Sequence, residues 1–211
     1  MLVLLCCCCC CLLLATQQQQ LQPAAGGNRA SPSCIPHERD ALLAFKHGVT
    51  SDPGGVLNSW RRDGRHDEQD CCRWRGVRCC NRTGHVHELR LGGPSIFESP
   101  PSNNLAGQIS PSLLALDHLE HLDLSWNDLA GSTGRLPEFL GSLKNLKYLN
   151  LSGIPFYGGV PPQLGNLSRL QYLDLSWNDI DLSWLTHIPS IQYLYMDGVN
   201  LSTVADCGFV S

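Results

Sequence analysis

Charged residues and long apolar runs are both scarce in this 211-residue sequence. Charged residues make up 16% of the chain and the formal net charge is −4, which argues against a polyanion or a strongly charged substrate. The longest apolar run, residues 2–15, has 14 residues, fewer than the roughly 20 that a membrane span requires. We therefore expect no nucleic-acid partner, and membrane contact only through a C-terminal span that this chain lacks.

Motifs that carry catalysis or bind cofactors are missing as well. No G-x-S-x-G, H-E-x-x-H, P-loop or protein-kinase motif occurs. Cys79, Cys80, His85 and His87 lie close together, but no second Cys-x-x-Cys or His-x-x-x-His pair completes a zinc site. We expect no enzyme activity, no cofactor and no metal.

One nine-residue unit recurs along the chain. LEHLDLSWN begins at Leu119, and near copies are LKYLNLSGI at Leu146, LQYLDLSWN at Leu170 and IQYLYMDGV at Ile191. A weaker copy, VHELRLGGP, begins at Val86. The shared template L-x-x-L-x-L-x-x-N-x-L, repeated at 21–33 residues, is the signature of a leucine-rich repeat.

The template predicts short strands that stack. Leu122 and Leu124 alternate with Asp123 and Ser125, so the leucines should face a common core and the other two should face outward. One such strand cannot bury its leucines alone, so stacked copies should form a parallel sheet. Asn127, like Asn178 later, should bond backbone groups where the chain leaves the strand. The equivalent positions in the other units hold Pro94, Ile154 and Val199, so we expect irregular coils.

The apolar character of the amino-terminal segment predicts export through the secretory pathway. Residues 1–25 contain an apolar run of signal-peptide length, although no basic residue precedes it. An oxidising compartment permits disulfides among the later cysteines, which are Cys34, Cys71, Cys72, Cys79, Cys80 and Cys207. It also permits N-glycosylation at four N-x-[ST] sequons, which begin at Asn81, Asn150, Asn166 and Asn200.

The region before the repeats resembles the N-terminal cap of plant extracellular leucine-rich repeat proteins. The matching residues, in order, are Cys34, Glu38, Arg39, Leu42, Leu43, Phe45, Lys46, Trp60, Cys71, Cys72, Trp74, Gly76, Val77 and Cys79. The resemblance implies the disulfides Cys34–Cys71 and Cys72–Cys79, with Cys72–Cys80 as a competing pair. It divides the chain into a signal peptide (1–25), a cap (26–85), about five repeats (86–201) and an irregular, uncapped tail (202–211).

The expected fold is a leucine-rich repeat solenoid of short parallel β-strands. Its convex segments should be irregular or 3₁₀, and its N-terminal cap helical and disulfide-bonded. The outward strand positions form two columns on the concave sheet. We predict a binding face from these columns and two flanking tryptophans: His121, Asp123, Trp126, Tyr148, Tyr172, Asp174, Trp177, Tyr193 and Tyr195. The alternative is that adjacent tyrosines stack and merely stiffen the sheet. A glycan on Asn150 would stand on this face.

The resemblance implies a receptor-like recognition module in plant defence or development, with a protein or peptide ligand and a co-receptor kinase. Its location would be the extracellular face of the plasma membrane, or the apoplast for a secreted form. A truncated gene product is expected, with a deliberately short secreted protein as the alternative. Two other hypotheses concern the function. One is an inhibitor of pathogen wall-degrading enzymes, similar to polygalacturonase-inhibiting proteins, and the other is an inert product.

Overall fold

The computed structural model describes residues 33–65, 68–94, 104–181 and 190–199. The predicted signal peptide and tail, together with Asn200 and Cys207, lie outside these ranges. The described helices are α1 (Pro36–Gly48) and 3₁₀ helices at Cys71–Arg73, Pro111–Ala115, Glu138–Ser142 and Pro162–Asn166. The described strands are β1 (Val49–Ser51), β2 (Val77–Cys79), β3 (Val86–Arg90), β4 (Ala106–Gly107), β5 (His121–Asp123), β6 (Tyr148–Asn150), β7 (Tyr157–Gly159), β8 (Tyr172–Asp174), β9 (Asp179–Asp181) and β10 (Tyr193–Tyr195).

The main sheet has six strands in the order β2-β3-β5-β6-β8-β10. All neighbours are parallel except β2, which runs antiparallel to β3. One leucine of each parallel strand lies in register with the next: Leu89, Leu122, Leu149, Leu173 and Leu194. The first four are completely buried and Leu194 is half-buried. The predicted solenoid with a continuous leucine core is therefore confirmed.

The cap closes the first coil in two ways. α1 begins at Pro36, which fits the first helical turn because it needs no N–H there, and it buries Leu42 and Phe45. β2 pairs with β3 and so covers the sheet edge that would otherwise face water. Glu38 is completely buried and joins the two parts, since it accepts a 2.7 Å hydrogen bond from the backbone N–H of Val86.

The convex side is built from 3₁₀ helices, as predicted. Each of the three in the repeats buries one leucine completely: Leu113, Leu140 and Leu164. A second, two-stranded parallel sheet, β7 with β9, was not predicted from the sequence. β7 reads Tyr-Gly-Gly, and two glycines give no local strand signal. The pairing arises only because successive coils stack in register.

Asparagine side chains occupy the turn after two of the strands. The amide nitrogen of Asn127 donates to the carbonyls of Leu91, Leu124 and Ser125 at 2.8–3.1 Å, and its oxygen accepts from the N–H of Leu105. Asn178 donates in the same way to the carbonyls of Leu151, Leu175 and Ser176. The predicted backbone-bonding role of these asparagines is confirmed.

Ser125 lies on the Asp123 side of the chain, as predicted, but it is buried and does not reach solvent. Ser125, Ser152 and Ser176 are all 4–6% exposed, although they alternate with buried leucines. Each serine lies two residues beyond the end of its strand, next to the side chain of the last strand residue. The Ser125 N–H and hydroxyl instead donate to the Asp123 carboxylate, at 3.1 and 2.7 Å.

Candidate recognition surface

The concave sheet carries two columns of side chains, and strand register sets their membership. The first column is Glu88, His121, Tyr148, Tyr172 and Tyr193. The second is Arg90, Asp123, Asn150, Asp174 and Tyr195. Because the leucines between them point into the core, both columns face away from it. The structure thus brings together the strand residues of the predicted binding face.

Four aromatic rings form a continuous row across the columns, which we call the aromatic row: His121, Tyr148, Tyr172 and Tyr195. The His121 and Tyr148 rings stack at 3.9 Å and 5°, and Tyr148 and Tyr172 at 4.1 Å and 10°. The row then crosses to the second column, where Tyr195 lies 5.2 Å from Tyr172 at 37°. The two inner tyrosines have neighbours on both ring faces, so they offer a partner only their edges and hydroxyls.

Packing within the row shifts the titration of its members. Burial, together with a hydrogen bond to Tyr148, raises the pKa of Tyr172 well above its usual range. Burial also raises the pKa of Tyr148. Burial and then the positive charge of Arg90 lower the pKa of His121. Packing thus favours the uncharged forms of His121, Tyr148 and Tyr172.

The middle of the second column has an internal structural role. Asp123, Asn150 and Asp174 each accept hydrogen bonds through Oδ1 from the serine two residues later, at 2.7–3.1 Å. These bonds satisfy the buried serine groups where the strands end. Asp123 and Asp174 are accordingly committed in part to the fold, which their sequence position did not reveal.

Three aromatic side chains are exposed at the β8–β10 end of the main sheet. Trp177, Tyr193 and Tyr195 are 48%, 58% and 44% exposed, and we call these three residues the aromatic patch. Trp177 and Trp126 both have positive φ, and their rings lie 6.5 Å apart. Trp126 is half-buried and flanks the patch. The structure therefore separates the predicted face into a stacked inner part and an exposed outer part.

The opposite end of the concave surface carries charged side chains. The Nε atoms of Arg78 and Arg90 lie 3.6 and 3.0 Å from the same carboxylate oxygen of Glu88. Both arginine side chains are about half exposed or more, whereas Glu88 is largely buried. Two guanidinium groups therefore share one carboxylate, and Asp123 stands in register with Arg90 on the next strand.

The cap contains two disulfides, Cys34–Cys71 and Cys72–Cys79. Cys72 therefore pairs with Cys79 and not with Cys80. Cys34, Cys71 and Cys72 form a cluster of metal-ligating residue types within the described part of the chain, but oxidised sulfurs do not act as thiolate ligands.

Of the three described sequon asparagines, Asn81 and Asn166 are exposed, whereas Asn150 is half-buried on the concave sheet. Asn81 lies in the turn before β3, and Asn166 ends a convex 3₁₀ helix. In the described residues, we find no helix with the length and apolar character of a membrane span.

Family comparisons agree with this architecture. Residues 35–80 match the leucine rich repeat N-terminal domain family, and residues 118–143, 145–167 and 167–183 match leucine rich repeat families. The matches cover the cap and the coils that contain β5, β6 and β8. The chain belongs to the leucine-rich repeat family.

The leucine-rich repeat chain is similar to a curated plant protein. It is 43% identical to receptor-like protein EIX1 of Solanum lycopersicum over 185 residues, which are 83% of this chain and 17% of EIX1. This leucine-rich repeat chain thus spans less than a fifth of the length of that relative.

Two solved plant ectodomains share its fold. The BIR2 ectodomain from Arabidopsis thaliana aligns with a TM-score of 0.64 and 27% identity, over 77% of this chain and 80% of BIR2. The ectodomain of the membrane receptor kinase GASSHO1/SCHENGEN3 from Arabidopsis thaliana, in complex with CASPARIAN STRIP INTEGRITY FACTOR 2, aligns with a TM-score of 0.61 and 27% identity. That alignment covers 77% of this chain and 18% of the receptor.

Proposed function

We propose that this chain is an extracellular recognition segment of a plant receptor-like protein. It contacts a protein or peptide ligand, acts with a co-receptor kinase in defence or developmental signalling, and performs no chemistry of its own. The aromatic patch is the observation that carries this proposal. Tyrosine and tryptophan contribute disproportionately to protein interfaces because they combine a large apolar area with a polar group.

The arrangement of the patch supports recognition over simple stiffening of the sheet. Stacking accounts for Tyr148 and Tyr172, whose ring faces are covered by neighbours. Trp177, Tyr193 and Tyr195 in addition remain about half exposed, so that a large apolar area stays in water beyond what stacking covers. Two related proteins support the same direction, because EIX1 is named as receptor-like and the GASSHO1/SCHENGEN3 ectodomain was solved with a bound factor.

The proposal is tested by capture from plant extracellular fluid on the immobilised, secreted protein. Captured proteins and peptides are identified by mass spectrometry, and the chain is compared with a variant in which Trp177, Tyr193 and Tyr195 are replaced by alanine. The Tyr157→Ala variant is the matched control, because Tyr157 is equally exposed, at 51%, but belongs to the second sheet. We expect the patch variant alone to lose the specific partners. Equal capture by all three proteins would contradict the proposal.

A further inference from the structure

Asn150 occupies the centre of the concave sheet with its side chain held by two contacts. Its Oδ1 accepts hydrogen bonds from the Ser152 N–H at 3.0 Å and hydroxyl at 2.8 Å.

The fold requires the oxygen of this residue but not its nitrogen. Asp123 and Asp174 stand in register with Asn150 on the two neighbouring strands, and their carboxylates accept from Ser125 and Ser176 in the same way. An aspartate would thus satisfy Ser152 equally well. What the amide adds is a nitrogen that, with Ser152 two residues later, completes an N-glycosylation acceptor.

We propose that Asn150 carries an N-linked glycan that covers the inner part of the aromatic row and confines partner contact to the aromatic patch. This inference rests on the proposed extracellular function. In the transfer, Nδ2 of Asn150 attacks C1 of a lipid-diphosphate-linked oligosaccharide. The bond between C1 and the diphosphate oxygen breaks, lipid diphosphate leaves, and Nδ2 loses one proton.

The position of the glycan decides which residues it covers. Adjacent strands lie about 4.8 Å apart, so a bulky oligosaccharide on β6 extends over Tyr148 and over Tyr172 of β8. Tyr193 and Tyr195 lie on β10, two strands or about 10 Å away, so they are farther from the attachment point than either inner tyrosine. Glycans on Asn81 and Asn166 would leave the concave sheet open, because these residues lie in the cap turn and on the convex side.

The test uses the full chain secreted from plant cells. Glycopeptide mass spectrometry measures occupancy at Asn150, Asn81 and Asn166. The Asn150→Asp variant removes the acceptor but keeps the oxygen that Ser152 needs, as Asp123 and Asp174 do in the neighbouring coils, so we expect it to fold and to be secreted. Asn166→Gln is the control that removes a glycan elsewhere. Hydroxyl-radical footprinting of the tyrosines then reports which rings the glycan covers.

We expect Asn150 to be occupied, and oxidation of Tyr148 and Tyr172 to rise several-fold in Asn150→Asp while Tyr157 is unchanged. Asn166→Gln should leave the footprint of all these tyrosines as it was. Secreted protein with Asn166 occupied and Asn150 bare would overturn the inference but not the proposed function. The same holds if Asn150 is occupied and Asn150→Asp leaves the footprint unaltered. A chain that carries no glycan because it never enters the secretory pathway would overturn both.

Discussion

The Trp126 ring lies directly against Gly153 of the next coil, and it occupies the space that a β-carbon at Gly153 would take. Trp177 repeats this contact with Gly198, where an added Cβ would stand 2.9 Å from the ring. All four residues have φ between 55° and 71°. Tryptophan and glycine thus alternate from coil to coil in the same left-handed backbone position, and each glycine accommodates the preceding indole.

Replacing Gly153 by alanine should destabilise the protein through backbone strain and through overlap with Trp126. The control is Gly158→Ala, because Gly158 also has positive φ but has open space at its Cβ position. We expect a cost of about 1–2 kcal/mol in the free energy of unfolding for Gly158→Ala from the left-handed backbone alone. Gly153→Ala should cost about 1–3 kcal/mol more, since overpacking is added. Denaturant unfolding of both variants measures the difference.

A double-mutant cycle tests whether the Trp126 ring causes the additional loss of unfolding free energy in Gly153→Ala. Trp126→Ala in the Gly153→Ala background should recover most of the difference between the two glycine variants, because the added methyl group then meets no indole. An unchanged difference would show that the contact with Trp126 is not its cause.

Removal of the Asn127 side chain should lower the free energy of unfolding more than most single substitutions in the repeats. It leaves three buried carbonyls and the Leu105 N–H without their partners, so Asn127→Ala should lower the free energy of unfolding by about 2–4 kcal/mol. Asn145→Ala is the control, since Asn145 lies at an exposed contact where it donates to the carbonyl of Asp117. We expect about 1 kcal/mol or less there. Equal losses would contradict the role given to Asn127.

Side-chain period and repeat spacing predicted the leucine core, the two columns and the buried asparagines, because each follows from local sequence. They did not predict that Tyr172 stacks on Tyr195 and not on Tyr193. Both tyrosines neighbour Tyr172, and only their side-chain rotamers decide which ring it contacts. The burial of Ser125 was missed for a related reason, since it depends on where the strand ends. Tryptophan and glycine alternate at one position of the repeat, which holds Trp126, Gly153, Trp177 and Gly198 in successive units. This alternation is visible in the sequence and could have indicated the tryptophan–glycine contacts.

Alkaline titration should detect the raised pKa of Tyr172 as a late step. Because the folded-state pKa of Tyr172 is raised, its stabilising contribution is fully present below the unfolded pKa of about 10 and is lost as the pH rises through the folded value. We expect late tyrosinate absorbance in the folded protein and a decline of unfolding free energy above about pH 10. Tyr172→Phe keeps the ring and should remove the latest absorbance step. Titration of all five tyrosines together near pH 10 would contradict the packing of the row.

Acid should weaken the protein partly through His121. Its pKa is lowered by burial and by Arg90, with His87 acting in the same direction and Glu88 and Asp123 opposing. The unfolded chain therefore binds this proton first, and stability falls as the pH drops below the unfolded value of about 6.5. His121→Tyr matches the residue in the next coils and should flatten this part of the stability profile. Identical profiles between pH 7 and pH 5 would argue against a lowered His121 pKa.

The central claim is that the aromatic patch binds the partner. Calorimetric titration of a captured, purified partner into the secreted chain tests this claim most directly. The Trp177, Tyr193 and Tyr195 triple alanine variant and Tyr157→Ala are measured alongside. Loss of one hot-spot aromatic typically costs about 2 kcal/mol or more, so we expect the triple variant to bind at least about thirty-fold more weakly. Tyr157→Ala should retain the original affinity. Unchanged affinity of the triple variant, with its fold intact by circular dichroism, would contradict the account.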